Sequence, residues 1–222
     1  MLKIAILDCG YGGEFLADRF EEEVGVVEVI RVIDWRHSEQ YLTKPKTARA
    51  LANAALRPYV GTVDLIVIAN HLLSATSLNY FKRKYPEQKF VGLRLKQPEC
   101  FTKKQILILA TKTLTKTMAY RGFLFALKNH RVKTMQIDAW PERIDEGELG
   151  SAEIEQSISQ FMTKKRIMPE EVILANAQLE DIKPELRRIF GRKVKIHSSF
   201  DDAIREACKL LRIRGSVRKL KH

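Results

Sequence analysis

The sequence is short of cysteine, of acidic residues and of long apolar runs, and each shortage narrows what the chain can be. Only three cysteines, Cys9, Cys100 and Cys208, occur in 222 residues. They are far apart and odd in number, which excludes a disulfide framework, and no pair has zinc-ligand spacing. No apolar stretch approaches the ~20 residues of a membrane-spanning helix. Met1 leads straight into an apolar strand pattern with no basic leader before it. The expectation is a soluble, cytoplasmic protein with no membrane partner. Asp and Glu number 27 against 39 Lys and Arg, a formal net charge of +12. Such a charge steers a protein towards acidic surfaces or nucleic acid but does not determine fold. The basic residues are spread over the helical segments without a base-reading motif, so a solvated basic surface is the commoner meaning. The tail residues Arg212, Arg214, Arg218, Lys219 and Lys221 have no acid among them. They form either a solvated end or an electrostatic arm for an acidic partner.

Nucleotide fingerprints are missing too. Gly10-x-Gly12-Gly13 has Phe15 where a dinucleotide motif needs its third glycine, and there is no Gly-Lys-Thr phosphate loop. Asp34, at the end of a strand pattern, means little as a ribose-binding acid without those glycines. No cofactor is expected.

What is present is a regular alternation of short apolar runs with longer helical patterns. Strands are predicted over Lys3–Asp8, Val26–Asp34, Asp64–Ala69 and Lys89–Leu95, and again over Gln105–Ala110, Lys133–Asp138, Glu171–Ala175 and Lys193–His197. Helices are predicted over Glu14–Glu23, Thr47–Leu56, Ala75–Tyr85, Thr115–Lys128, Ser151–Lys164 with Ser151 as N-cap, Glu180–Phe190 and Asp201–Leu211. This spacing predicts the α/β class: mostly parallel sheets with helices on both faces.

Two stretches resemble each other. Asp64-Leu-Ile-Val-Ile-Ala-Asn70 and Glu171-Val-Ile-Leu-Ala-Asn176 each continue through a helix and a basic patch into another strand. A duplication places Asn70 and Asn176 at equivalent strand ends, where ligands bind in sheets of this kind.

Five segments in order are similar to the motifs of glutamate racemases. Asp8-Cys-Gly-Tyr-Gly-Gly13 resembles that family's Asp-Ser-Gly-x-Gly-Gly opening, and Asp64–Ala75 its strand into Ala-Cys-Asn-Thr-Ala-Ser-Ala. Ala110–Tyr120 resembles its Ala-Thr-Pro-Ala-Thr-x-x-Ser-x-Ala-Tyr segment. Asp138–Pro141 with Ile144–Gly147 resembles its Ala-Cys-Pro and Glu-x-Gly segments, and Ile173–Gln178 its Leu-Gly-Cys-Thr-His. The correspondence covers nearly the whole chain. It implies two pseudo-twofold-related lobes, 1–96 plus 199–222 and 97–198, with a cleft between them and the last helix returning to the N-terminal lobe. It also implies cofactor-free chemistry by two cysteines on opposite faces of an amino acid's Cα, and a possible homodimer.

The chemistry is where the resemblance breaks. Asn70 and Asn176 stand at the two cysteine positions, and a carboxamide neither gains nor loses a proton near pH 7. Leu72, Leu114 and Ala177 replace three threonines, Gln178 a histidine, and Gln40-Tyr41-Leu42 the Pro-Tyr-Gly carboxylate clamp. Asp8 remains. The expected ligand-lining residues are Asp8, Cys9, Asn70, His71, Thr113, Asn176 and Gln178, around a small polar ligand that is bound and not racemised. Each has a structural alternative: a turn residue for Cys9, a self-bonded turn acid for Asp8, a hydrogen-bonded histidine for His71 and strand-end caps for the asparagines. Two other functions stay open. One is an active isomerase using Cys9, His71 and Asp8, and the other a basic scaffold or nucleic-acid-associated protein.

Overall fold

A computed structural model describes residues 1–25, 27–95, 98–102 and 104–213. The strand start at Val26, the lobe boundary between 96 and 97, and tail residues Arg214, Arg218, Lys219 and Lys221 lie outside the described residues. The chain divides into two compact units, Met1–Arg94 with the segment from Ser199 onward, and Leu95–Ser198.

The first unit runs β1 (Leu2–Asp8), α1 (Tyr11–Val24), β2 (Val27–Ile33), α2 (Ser38–Thr43), α3 (Pro45–Leu56), β3 (Leu65–Ile68), α4 (His71–Lys84) and β4 (Phe90–Gly92). Its strands are all parallel in the order β2-β1-β3-β4. The second unit runs β5 (Gln105–Ala110), α5 (Lys112–Thr115), α6 (Met118–Ala126), β6 (Arg131–Gln136), α7 (Trp140–Asp145), α8 (Ser151–Lys165), β7 (Glu171–Ala175), α9 (Lys183–Phe190) and β8 (Lys195–His197). Its order, β6-β5-β7-β8, repeats the first and is again all parallel. The chain then re-enters the first unit through α10 (Ser199–Leu211). β3 and β7 thus hold the same place in their sheets, and Asn70 and Asn176 follow their last residues closely.

Burial explains the composition of the strands. β3 and β7 are buried at every residue, as expected of central parallel strands covered on both faces. On α3, Ala48, Ala52 and Leu56 recur at helical spacing and pack with Leu7, Ile66, Leu73, Phe81 and Phe90. The second core gathers Leu107, Leu109, Trp140, Ile154, Ile158, Leu174 and Leu186.

Several boundaries differ from the sequence expectation, and side-chain caps account for the main ones. α4 begins at His71, four residues early, because the Asn70 carboxamide accepts the Leu73 N–H at 2.9 Å and starts the helix there. The helix expected over 115–128 is broken in two. Thr111 caps α5 through the Leu114 N–H, and Thr117 caps α6 through the Tyr120 N–H at 3.1 Å. Ser151 is not the N-cap of α8; Gly150 holds that position with no side-chain cap. The helix expected from Glu180 starts at Lys183, after a 3-10 turn over Ala177–Glu180 that Asn176 caps.

Two glycines are required by close approach. A Cβ on Gly13 would lie 2.5 Å from the Asp8 Cβ, and one on Gly92 2.7 Å from the Ser74 Oγ. Gly13 therefore lets the first turn of α1 sit directly on Asp8. Among the described residues, no helix is long and apolar enough to cross a membrane, and no group of three or more His, Cys, Asp or Glu could hold a metal ion.

Candidate functional site

In the first unit the carboxyl ends of β1 and β3 bring Asp8, Cys9 and Asn70 together, all buried. The orientation of Asn70 follows from its cap. With Oδ1 occupied by the Leu73 N–H, Nδ2 points the other way and donates to the Asp8 carboxylate at 3.3 Å, with the Cys9 sulfur 3.6 Å away. The side chain that resemblance puts at a thiol position thus acts as both a helix cap and a donor to a carboxylate.

Tyr41, on α2, is fully buried in the same core as Cys9. Burial pushes its phenol well above the usual tyrosine range, and Asp34, Cys9 and Asp8 push the same way. It stays a neutral hydroxyl. Asp34 continues from β2, where its N–H donates to the Asp8 carbonyl at 2.9 Å and its carboxylate bonds His37 Nδ1 at 2.8 Å. The result is a buried polar group of the Asp8 carboxylate, a phenol, a thiol and a carboxamide at an apolar sheet end, with the half-buried Asp34 carboxylate beside it. Sequence reading noted Tyr41 only as a remnant of a clamp; nothing in its neighbours in the chain indicates that it faces Asp8.

His71, the first residue of α4, is placed differently. Its Nε2 bonds the Ser199 Oγ of α10 at 2.9 Å, and its Nδ1 meets no partner among the described residues. Burial drives its pKa down to about 3. The ring is neutral at any physiological pH and has no imidazolium proton to give.

In the second unit, Asn176 repeats the arrangement of Asn70. Its Oδ1 accepts the Gln178 N–H at 3.1 Å, and Gln178 in turn donates from Nε2 to Asp145 of α7 at 3.2 Å. Thr113 sits half-buried on α5, and no side-chain hydrogen bond ties it to Asn176 or Gln178 among the described residues. Sequence reading missed a buried Glu–His contact here. Glu171 of β7 bonds His197 of β8, and its other oxygen accepts the Thr102 N–H at 2.9 Å while Phe101 packs edge-on against the imidazole. The available signal was an acid opening an otherwise apolar strand. Cys208 is buried on α10 and Cys100 is exposed.

Chemically, the asparagine of the first cluster has no proton to exchange near neutral pH. The same holds for Asn176.

Neither a protein-family model nor the sequence of a curated protein matches this chain. Solved structures do match it. Glutamate racemase from Escherichia coli, in complex with L-glutamate and the activator UDP-MurNAc-Ala, superposes with a TM-score of 0.81 at 16% identity, over 96% of this chain and 83% of that one. Glutamate racemase from Campylobacter jejuni gives 0.80 at 22% identity, over 99% and 89%. Aspartate racemase from Picrophilus torridus gives 0.62 at 13% identity, over 94% of each. The chain has the α/β fold of the aspartate and glutamate racemases.

Proposed function

We propose that this chain is a degenerate, racemase-like protein that binds a small polar ligand without moving a proton on it. The observation that carries this reading is the bonding of the two asparagines at the positions that correspond to catalytic thiols. Each has its side-chain oxygen committed to a backbone N–H of the segment it caps. Proton abstraction at Cα needs a group that changes protonation state near neutral pH, and a carboxamide does not. Asp8, Asn70 and the Tyr41 hydroxyl supply the polarity for a ligand related to the amino acids bound by the racemases.

The test is hydrogen exchange at Cα. Protein is incubated in deuterium oxide with each enantiomer of glutamate and of aspartate, and the Cα proton is followed by NMR. The expected result is exchange no faster than in a protein-free control at high protein concentration. Exchange above that control defeats the proposal.

One observation favours a second reading, an isomerase with relocated groups: Cys9 lies beside both Asp8 and Asn70. Against it stands His71, which is neutral and bonded to Ser199. Exchange that disappears in Cys9→Ala would select this reading.

A further inference from the structure

Along the chain from Gln40 to Pro86 there are seven basic residues and a single acid, Asp64. That acid opens onto β3 and accepts the Lys3 N–H at 2.7 Å, so it belongs to the opposite end of the sheet from the helices' caps. The segment contains α3 and α4, which pack against each other. On α3, Lys46, Arg49, Asn53 and Arg57 follow one another at intervals of three, four and four, which is one face of a helix. On α4, Ser77, Tyr80 and Lys84 do the same.

The two faces are joined by bonds in which no carboxylate takes part. Arg49 donates from Nε to the Ser77 hydroxyl at 3.0 Å and from Nη2 to the Thr76 carbonyl at 2.8 Å. Its guanidinium lies 5.1 Å from the centre of the Tyr80 ring. Lys84 donates to the Asn53 side-chain Oδ1 at 2.7 Å, and its ammonium lies 5.6 Å from the Tyr80 ring and 5.3 Å from the Tyr85 ring. Tyr85 donates to the same Asn53 oxygen at 2.8 Å.

Several cations on other elements sit in ion pairs. Arg31 meets Glu14, Asp18 and Glu21, Arg19 meets Glu23 and Asp201, and Arg143 meets Glu153; within the segment, Lys44 meets Glu39. Among the described residues, Lys46, Arg49, Arg57, Arg83 and Lys84 form no ion pair. The charges of Arg49 and Lys84 are held in place by neutral oxygens and aromatic faces, which fix a cation without cancelling it. Lys46, Arg57, Arg83 and Lys84 are exposed.

We propose that the α3–α4 seam is a docking surface for the phosphate backbone of nucleic acid. A row of cations without acid partners, two of them pre-positioned at its centre, suits phosphate contacts, which release counterions on binding. α3 spans about 18 Å, the run of roughly five phosphates along one strand of a duplex. The tyrosine faces are occupied by the protein's own cations, so the seam reads backbone charge and not base identity. This is independent of the ligand reading of the Asp8 cluster.

The test is fluorescence anisotropy of the full chain with a labelled 20-nucleotide single strand and the matching 20-base-pair duplex, each across a salt series. Arg57→Gln/Arg83→Gln removes two exposed cations that make no side-chain hydrogen bond among the described residues, so folding is not at stake. Arg49→Gln/Lys84→Gln removes the two at the centre. Arg192→Gln/Lys193→Gln, exposed in the second unit, is the control of equal charge. Both seam variants should bind about tenfold more weakly, with a salt slope shallower by about 1.4 for the single strand if two phosphate contacts are lost, whereas the control stays near wild type. Stronger binding of the duplex or of the single strand identifies which form the seam takes. Equal weakening by the control, or no binding by wild type at 50 mM salt, overturns the proposal. So does displacement by polyglutamate as effective as by oligonucleotide at equal charge, which would assign the seam to an acidic protein.

Discussion

Lowering the pH from 7 to 5 should cost this protein stability through one residue, His71. Its imidazole is buried on the first turn of α4 against Ser199, and burial holds its pKa at about 3, against about 6.5 in an unfolded chain. Between those values the unfolded state binds a proton that the folded state does not. Stability therefore rises with pH through this window and is fully present above about pH 6.5. The slope at its steepest is about 1.4 kcal/mol per pH unit, so the loss at pH 5 is roughly 2 kcal/mol. Urea unfolding at pH 7.5, 6 and 5 measures it, with His71→Gln as reference, because a glutamine amide can still accept from the Ser199 hydroxyl without titrating. Subtracting the two pH profiles cancels every other group. The difference should be close to zero at pH 7.5 and about 2 kcal/mol at pH 5. Parallel profiles would refute the argument, and would mean that the imidazole finds a proton acceptor or water inside the folded unit.

Two further substitutions test the polar groups inside each unit. Asn70→Asp keeps an oxygen for the Leu73 N–H but sets a second carboxylate against Asp8, across a contact of 3.3 Å. The variant should be less stable than wild type at pH 7 by about 1–3 kcal/mol and recover towards pH 5, as one carboxyl of the pair takes up a proton; equal deficits at both pH values in urea melts would contradict this. Glu171→Ala strips the His197 imidazole and the Thr102 N–H of their shared partner in a buried setting. A loss of roughly 3–5 kcal/mol is expected from denaturant unfolding, and one below about 1 kcal/mol would show that the Glu171–His197 contact does not hold β7 to β8.

The strands were legible because parallel strands buried on both faces leave unbroken apolar runs: Gln105–Ala110 and Glu171–Ala175 fall where the sequence places them. Helix starts were less legible. The apolar pattern of α4 sets in after His71, but the helix starts where Asn70 can cap it, and a cap is a single-residue event that periodicity does not carry. The same holds at Thr117, where a hydroxyl begins a second helix inside a stretch that the sequence reads as one. The duplication was legible as a pair of strand-Ala-Asn segments. The company those asparagines keep was not, since Asp8 lies 62 residues from Asn70 in sequence and meets it only through the pairing of β1 with β3. Nor did the sequence reveal that His71 faces Ser199, 128 residues away, rather than an acid-base partner.

Those long-range contacts decide what kind of site a racemase scaffold becomes. An asparagine that caps a helix has its oxygen committed, so its remaining freedom is to donate. In the first unit that donor is taken by Asp8, and Tyr41 is kept protonated by burial and by the acids near it. Each group is held in one protonation state and one orientation: Asn70 as a donor, Tyr41 as a hydroxyl, His71 as a neutral ring. A proton-transfer site needs the opposite, a group poised between two states near the working pH. Under the proposed function these fixed donors and acceptors serve recognition, because they do not have to reorganise when a ligand arrives.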